Sequence, residues 1–484
     1  MTEITRVPPR TLTRREILET SAQAGAALLA LTAAGSFAVA AESATVSRKL
    51  PDTSTKGLGV WDVSAHDYVA EEYLLSGKAN TYEPVCMADA WTVESRDITK
   101  DFAARDFTRK ILRADVPYET RLIVYKPRNP VRFSGNAIVE TLHPNGGGTG
   151  LVWNAIHRYF LARGDAYVCV QHPVTIAGLR AAAPARYGSL HVIDPTQLWG
   201  MLKDTGLLLK RAARQSPLEG YPVEHLLMTG YSYTGVATAS FANYHHSEAV
   251  LPDGRSVFDA YLPFADSQYV RPLNVPVIRV NTQSDFDSYG GLRNRRPDDE
   301  RYRHYEVAGA AHAASPTPPD ASKPPNLEAL STPKGQPTTS PAKCMEGFPK
   351  GSRLNDFPLY LVQEAVFERL FEWLSGVQPP ASLLIEVSEG GALRTDRWGN
   401  ALGGVRYPQL SVPVARYGVG SEGICLLYGY TAPFDPAECR SLYGTFDNYL
   451  SLVKSAAEHW VTAGLLRATS ASELVALAKA NPPF

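Results

Sequence analysis

Gly230-Tyr-Ser-Tyr-Thr-Gly235 stands between an apolar run, His225-Leu-Leu-Met-Thr229, and a small-residue run, Gly235-Val-Ala-Thr-Ala-Ser240. The three pieces read as strand, sharp turn and helix. Such a turn lifts Ser232 clear of the backbone, where a base and a substrate both reach its hydroxyl. It also sets the Tyr233 amide at a helix start, aimed at the oxygen that turns negative when an acyl carbonyl is attacked. The pattern points to acyl transfer with Ser232 as nucleophile. The glycine usual two places after such a serine arrives one later, because Thr234 precedes Gly235.

Order along the chain supports this reading. Val275-Pro-Val-Ile-Arg-Val280 is a β-branched run that reads as a buried parallel strand, and it ends in Asn281-Thr-Gln-Ser-Asp285. Tyr302-Arg-His-Tyr-Glu-Val307 reads as a further strand and runs into Ala308-Gly-Ala-Ala-His312. Serine, acid and histidine, each just past a successive strand, follow the order of an α/β-hydrolase triad. His312 then takes the Ser232 proton and hands it to the leaving group, while a carboxylate fixes the imidazole tautomer. Asp285 ranks first as that carboxylate because it comes earliest after its strand; Asp287 and Asp266 are the alternatives. The second oxyanion donor is expected from His143-Pro-Asn-Gly-Gly-Gly148, which follows the strand-like Asn136 to Leu142 and resembles an HGGG loop. Pro144 has no N–H, which leaves Asn145 as the candidate.

The 484 residues are 44% hydrophobic and 20% charged, enough for a large core. A net charge of -1 provides no basic field for nucleic acid or anionic lipid and fits a small, roughly neutral ester substrate. No metal or organic cofactor is expected. Thr13-Arg-Arg-Glu-Ile-Leu18 precedes an Ala-rich apolar stretch with Ala38-Val-Ala40 as a cleavage site, so residues 1–40 read as a Tat signal peptide. Its partner is the Tat export machinery, the destination is the periplasm or the exterior, and the mature protein is not expected to insert stably in a membrane. Export permits disulfides, for which Cys425 with Cys439, or Cys86 with Cys344, are the readable pairs. Cys169 reads as a buried small hydrophobe.

Strands and helices alternate from Tyr118 onward, with helices at Leu151 to Ala162, Leu198 to Ala213 and Leu359 to Leu374. The expected fold is α/β: an α/β-hydrolase with a mostly parallel central sheet. Between Ala313 and Pro341 there are eight prolines in 29 residues, a long loop expected to form part of the pocket rim. Residues 41–384 form the expected catalytic domain, and 385–484 an accessory layer packed on it.

The chain resembles a largely bacterial family of exported proteins described as alpha/beta hydrolase domain-containing. The resemblance rests on Phe133-Ser-Gly-Asn-Ala-Ile-Val-Glu140, Arg186-Tyr-Gly-Ser-Leu190 and Gly230-Tyr-Ser-Tyr-Thr-Gly235, where the family shows G-x-S-Q-S/T-G. It continues through Tyr305-Glu-Val-Ala-Gly309 and through Gly399-Asn400 with Gly403-Gly404 ahead of Pro408. The late glycine is therefore what the resemblance implies. Tyr233 replaces the family's glutamine, and Gln283 stands where similar proteins often carry a glutamate. The resemblance implies an esterase-like activity. An acyltransferase on the same triad and a catalytically silent binding protein on a hydrolase scaffold are the alternatives.

Overall fold

The computed structural model describes residues 46–51, 58–85, 107–144, 149–211, 216–266, 268–288, 291–313, 341–420, 425 and 427–484. The signal peptide, Cys86, Asn145 and all but the ends of the proline-rich loop lie outside the described residues. Nine strands build the main sheet: β1 (Val46–Lys49), β2 (Tyr68–Tyr82), β3 (Ile111–Pro127), β4 (Asn136–Thr141), β5 (Ala166–Val170), β6 (His225–Tyr231), β7 (Ala260–Phe264), β8 (Val277–Thr282) and β9 (Tyr302–Val307). Their order is β1-β2-β3-β5-β4-β6-β7-β8-β9. From β5 to β9 every pairing is parallel, whereas β1, β2 and β3 join antiparallel.

Parallel strands covered on both faces must be apolar on both. In β4, Ile138 enters one core, while Ala137 and Val139 enter the core on the opposite face. The first core receives helices α1 (Leu151–Arg163) and α5 (Leu359–Leu374), through Val152, Trp153, Phe160, Val362, Val366 and Leu370. The second receives α2 (Leu198–Lys210) and α3 (Tyr233–Tyr244), through Leu202, Leu209, Val236 and Phe241. A short helix, α4 (Gln283–Ser288), follows β8 directly.

Residues from Thr45 to Phe484 form one compact unit. Ile385, Val405, Tyr407, Leu410, Tyr417 and Trp460 share the first core with α1 and α5. A small antiparallel sheet of β10 (Arg353–Leu354), β11 (Ala415–Val419) and β12 (Gly429–Pro433) lies in this part, in the order β10-β12-β11. Helices α6 (Phe446–Thr462) and α7 (Ala468–Ala480) complete the chain. Among the described residues, no helix is long and apolar enough to cross a membrane.

Both expected cysteine pairings are corrected. Cys344 bonds to Cys425, with Cα atoms 5.4 Å apart, and Cys439 is a free, buried thiol. Both bonded cysteines lie N-terminal to strands of the small sheet, Cys344 before β10 and Cys425 before β12, which pair antiparallel with Arg353 opposite Thr431. Cys439 instead belongs to the helix Pro436–Tyr443 that comes after β12. Cys169 is free and buried in β5.

Candidate functional site

Ser232 occupies the turn between β6 and α3 with φ 60° and ψ -126°, a conformation that costs a non-glycine residue about 1–3 kcal/mol. Neighbouring bonds hold it there. Its N–H donates to the Phe264 carbonyl at 3.0 Å, and its own carbonyl accepts from the Val236 N–H at 2.8 Å. The Thr234 hydroxyl accepts from the Tyr231 N–H and donates to the Tyr231 carbonyl, both at 2.9 Å, which closes the turn. The displaced glycine also has a reason. A Cβ on Gly235 would lie 2.1 Å from the Phe264 carbonyl oxygen, so α3 approaches β7 only with glycine there. Tyr233 is the first residue of α3, where helix amides point outward past the N-terminus.

The structure brings Ser232, His312 and Asp285 together. His312 Nε2 lies 2.7 Å from Ser232 Oγ, and His312 Nδ1 lies 2.6 Å from Asp285 Oδ1. A carboxylate only accepts, so Nδ1 carries the proton and Nε2 is left to accept from the serine hydroxyl. The second oxygen, Asp285 Oδ2, accepts from the Thr282 N–H and hydroxyl, both at 2.7 Å. Asp285 sits in the first turn of α4, buried, while Ser232 stays partly exposed.

Of the alternative acids, Asp266 is set apart by its partner. Asp266 is 2.7 Å from Arg279 Nε, and both side chains are fully buried, so its charge is committed to that pair. The Asp287 side chain lies outside the described residues. Gln283 makes a structural bond, its Oε1 accepting from the Gly309 N–H at 2.8 Å.

The oxyanion candidates are placed only in part. Asn145 is outside the described residues, but the neck of its loop is described. The His143 N–H donates to the Thr149 carbonyl at 2.8 Å, and the Leu142 N–H donates to Val170. Neither amide therefore remains for a ligand, and Pro144 has none.

Several residues around this neck escape sequence reasoning. Glu140, at the end of β4, accepts from the Val152 and Trp153 N–H groups and from the Tyr167 hydroxyl. It caps α1 from a distance. A Cβ on Gly150, the residue before the helix, would lie 2.4 Å from Glu140 Oε2. Burial pushes the Glu140 carboxyl up to about 7, against the opposing pull of those hydrogen bonds. His143 and His172 are buried beside the Tyr233 ring, edge-on at 6.2 and 5.3 Å between centroids. Burial lowers both to about 3, and His143 is lowered further by His312, so both rings are neutral near pH 7. His172 comes just after β5, and its Nδ1 accepts from the Val174 N–H at 3.3 Å. The readable signal is a histidine just past a strand end, the same signal that marks His312. Its neighbourhood depends on β5 lying beside β4.

Among the described residues, no cluster of three or more His, Cys, Asp or Glu side chains could hold a metal ion. What the site offers instead is a hydroxyl, an imidazole and a carboxylate in hydrogen-bonded series beside a helix N-terminus, the parts that nucleophilic acyl transfer requires.

Solved structures of low identity align with part of the chain. One is an alpha-beta serine hydrolase homologue from Coxiella burnetii, with 12% identity over 40% of this chain and 84% of its own, at a TM-score of 0.26. Another is a butyrate-bound thermophilic esterase from Thermogutta terrifontis, with 15% identity over 40% of this chain and 80% of its own, at a TM-score of 0.25. No functionally curated protein matches the chain in sequence. Residues 35–476 match the profile of the alpha/beta hydrolase domain family, and the chain belongs to that family.

Proposed function

We propose that the protein is an exported serine hydrolase that cleaves carboxylic esters through an acyl-enzyme. The observation that carries this reading is one imidazole bridging Ser232 Oγ at 2.7 Å and Asp285 Oδ1 at 2.6 Å. Ser232 Oγ attacks the ester carbonyl carbon as His312 Nε2 takes its proton. The carbonyl oxygen becomes negative and is held by the Tyr233 amide together with the Asn145 amide. His312 then protonates the departing alkoxide, releasing an alcohol and leaving the acyl group on Ser232. Water repeats the sequence: His312 takes its proton, hydroxide adds to the acyl carbon, and the carboxylic acid leaves as Ser232 regains its hydrogen. Asp285 stabilises the imidazolium in both halves. Because nucleophile, base and orienting acid are in hydrogen-bonded sequence, their arrangement favours a working enzyme over a silent scaffold.

Export through the Tat route is part of the proposal. It rests on Arg14-Arg15 ahead of the Ala-rich stretch and is supported by the Cys344–Cys425 bond, since disulfides persist in oxidising compartments. Ser232→Ala is expected to abolish hydrolysis of short p-nitrophenyl esters and labelling by a fluorophosphonate probe, with the melting profile retained. Undiminished turnover in that variant overturns the reading.

A further inference from the structure

The segment carrying His312 is gripped from two sides. From the start of α4, directly after β8, Gln283 Oε1 accepts from the Gly309 N–H at 2.8 Å, and the Gln283 N–H donates to the Ala310 carbonyl at 3.0 Å. Ser284 Oγ accepts from the His312 N–H at 3.1 Å, and the Tyr231 hydroxyl donates to the His312 carbonyl at 2.5 Å.

The second grip comes from the small sheet. Asn355, buried next to β10, donates from Nδ2 to the Gly309 carbonyl at 2.8 Å. Its N–H donates to the Gly429 carbonyl at the start of β12, and its Oδ1 accepts from the Phe357 N–H. Gly429 in turn lies against Ala311: a Cβ there would sit 2.7 Å from the Ala311 Cβ. Just before β12, the Leu427 carbonyl accepts from the Ala313 N–H at 2.7 Å, one residue past His312. The chain at Leu427 is itself tied down, because the Tyr428 N–H donates to the Cys425 carbonyl and Cys425 is bonded to Cys344.

We propose that Asn355 and the Cys344–Cys425 bridge are positioning groups for the His312 imidazole, so that the small sheet and the loop before β12 form part of the machinery holding the base. The inference rests on the serine hydrolase reading. Its chemistry is a matter of placement. The imidazole must stay within about 0.5 Å of its productive position between two partners, and a loop anchored on one side only does not hold that tolerance. Asn355 supplies a side-chain donor from the small sheet to Gly309, and the bridge fixes the loop whose carbonyl holds Ala313.

The test compares the wild type with Asn355→Leu, with Cys344→Ser/Cys425→Ser, and with all three substitutions combined, using p-nitrophenyl acetate below the melting temperature of each. Expected is a fall of tenfold or more in kcat for both variants with KM within twofold. The combined variant should be little worse than the weaker of the two, because both groups act through the same short segment. Fluorophosphonate labelling of Ser232 should slow by the same factor as kcat without disappearing. Should a variant not fold, the wild type is reduced in place with a trialkylphosphine, which converts the S–S bond to two thiols and is itself oxidised to the phosphine oxide. Activity should drop while the circular dichroism holds, and return on reoxidation. Folded variants and reduced enzyme with kcat within twofold of the wild type overturn the inference. A wild type that the probe does not label would instead overturn the hydrolase reading beneath it.

Discussion

Asp285→Asn changes one atom type and keeps the shape, so its effect is set by the donors around the side chain. Oδ2 of Asp285 receives two of them, the Thr282 N–H and hydroxyl, each at 2.7 Å. An asparagine there must put its carbonyl oxygen in the same place, since turning the amide over sets NH2 against the Thr282 donors and loses bonds worth about 1–3 kcal/mol each when buried. Its NH2 then lies where Oδ1 was, 2.6 Å from His312 Nδ1. An NH2 group only donates, so Nδ1 becomes the bare nitrogen and the ring proton moves to Nε2. That proton points at Ser232 Oγ, and the imidazole no longer accepts from the nucleophile. The comparable substitution in a serine protease triad lowers kcat about ten-thousand-fold, a barrier increase of about 5.5 kcal/mol. We expect a loss of that order in kcat with p-nitrophenyl acetate at saturating concentration, KM within a few-fold, and an unchanged melting temperature within a few degrees. A folded variant retaining more than a tenth of wild-type kcat refutes the tautomer argument and Asp285 as the orienting acid.

Asp266→Asn tests the alternative carboxylate, two residues past the end of β7, and should do the opposite: stranding the Arg279 charge in the core is expected to cost about 3–5 kcal/mol of stability in urea melts, and variant still folded at low denaturant should keep kcat within a few-fold. A loss of activity in stably folded protein would move the orienting role to Asp266. Glu140 gives a pH signature. Its carboxyl titrates near 7 when folded against an ordinary value of 4.5, so its contribution is fully present below pH 4.5 and is lost as pH rises through 7. The gap corresponds to about 3 kcal/mol of stability. Glu140→Gln keeps an acceptor for α1 but cannot ionise, so unfolding free energies at pH 5 and pH 8 should differ less in the variant than in the wild type by an amount of that order; parallel pH profiles would refute the assignment.

The parallel half of the sheet was legible because its strands are short, largely apolar runs, several of them followed by readable helices, and Tyr302–Val307 and Leu359–Leu374 fall where the pattern sets them. The antiparallel half was legible only from Tyr118 to Tyr125, within β3. β2 carries Glu71 and Glu72 side by side and a glycine at 77, which breaks the alternation that marks a strand. Glu71 is satisfied by Lys126 and Glu72 by Arg121, partners supplied by β3 and invisible before the two strands pair. Ser232, His312 and Asp285 were readable from order alone, whereas the standing of Asp266 depended on Arg279 turning toward it from β8. Glu140 reads as a polar interruption in an apolar strand until the start of α1 is brought over it. The disulfide joins cysteines 81 residues apart, whose meeting only the folded C-terminal part makes visible.

The outer side of β9 is occupied by single residues of the C-terminal part: Tyr305 pairs with Leu383 and Val307 with Val405, both in parallel bridges. At the opposite end of the sheet lies β1, four residues long and bearing Arg48 and Lys49. Among the described residues, then, neither rim of the main sheet is a long, flat, apolar ladder onto which a second copy can add a strand, and the charges on the short one oppose it. For a protein exported as proposed, beyond the reach of cytoplasmic chaperones, that construction confers resistance to rim-to-rim polymerisation.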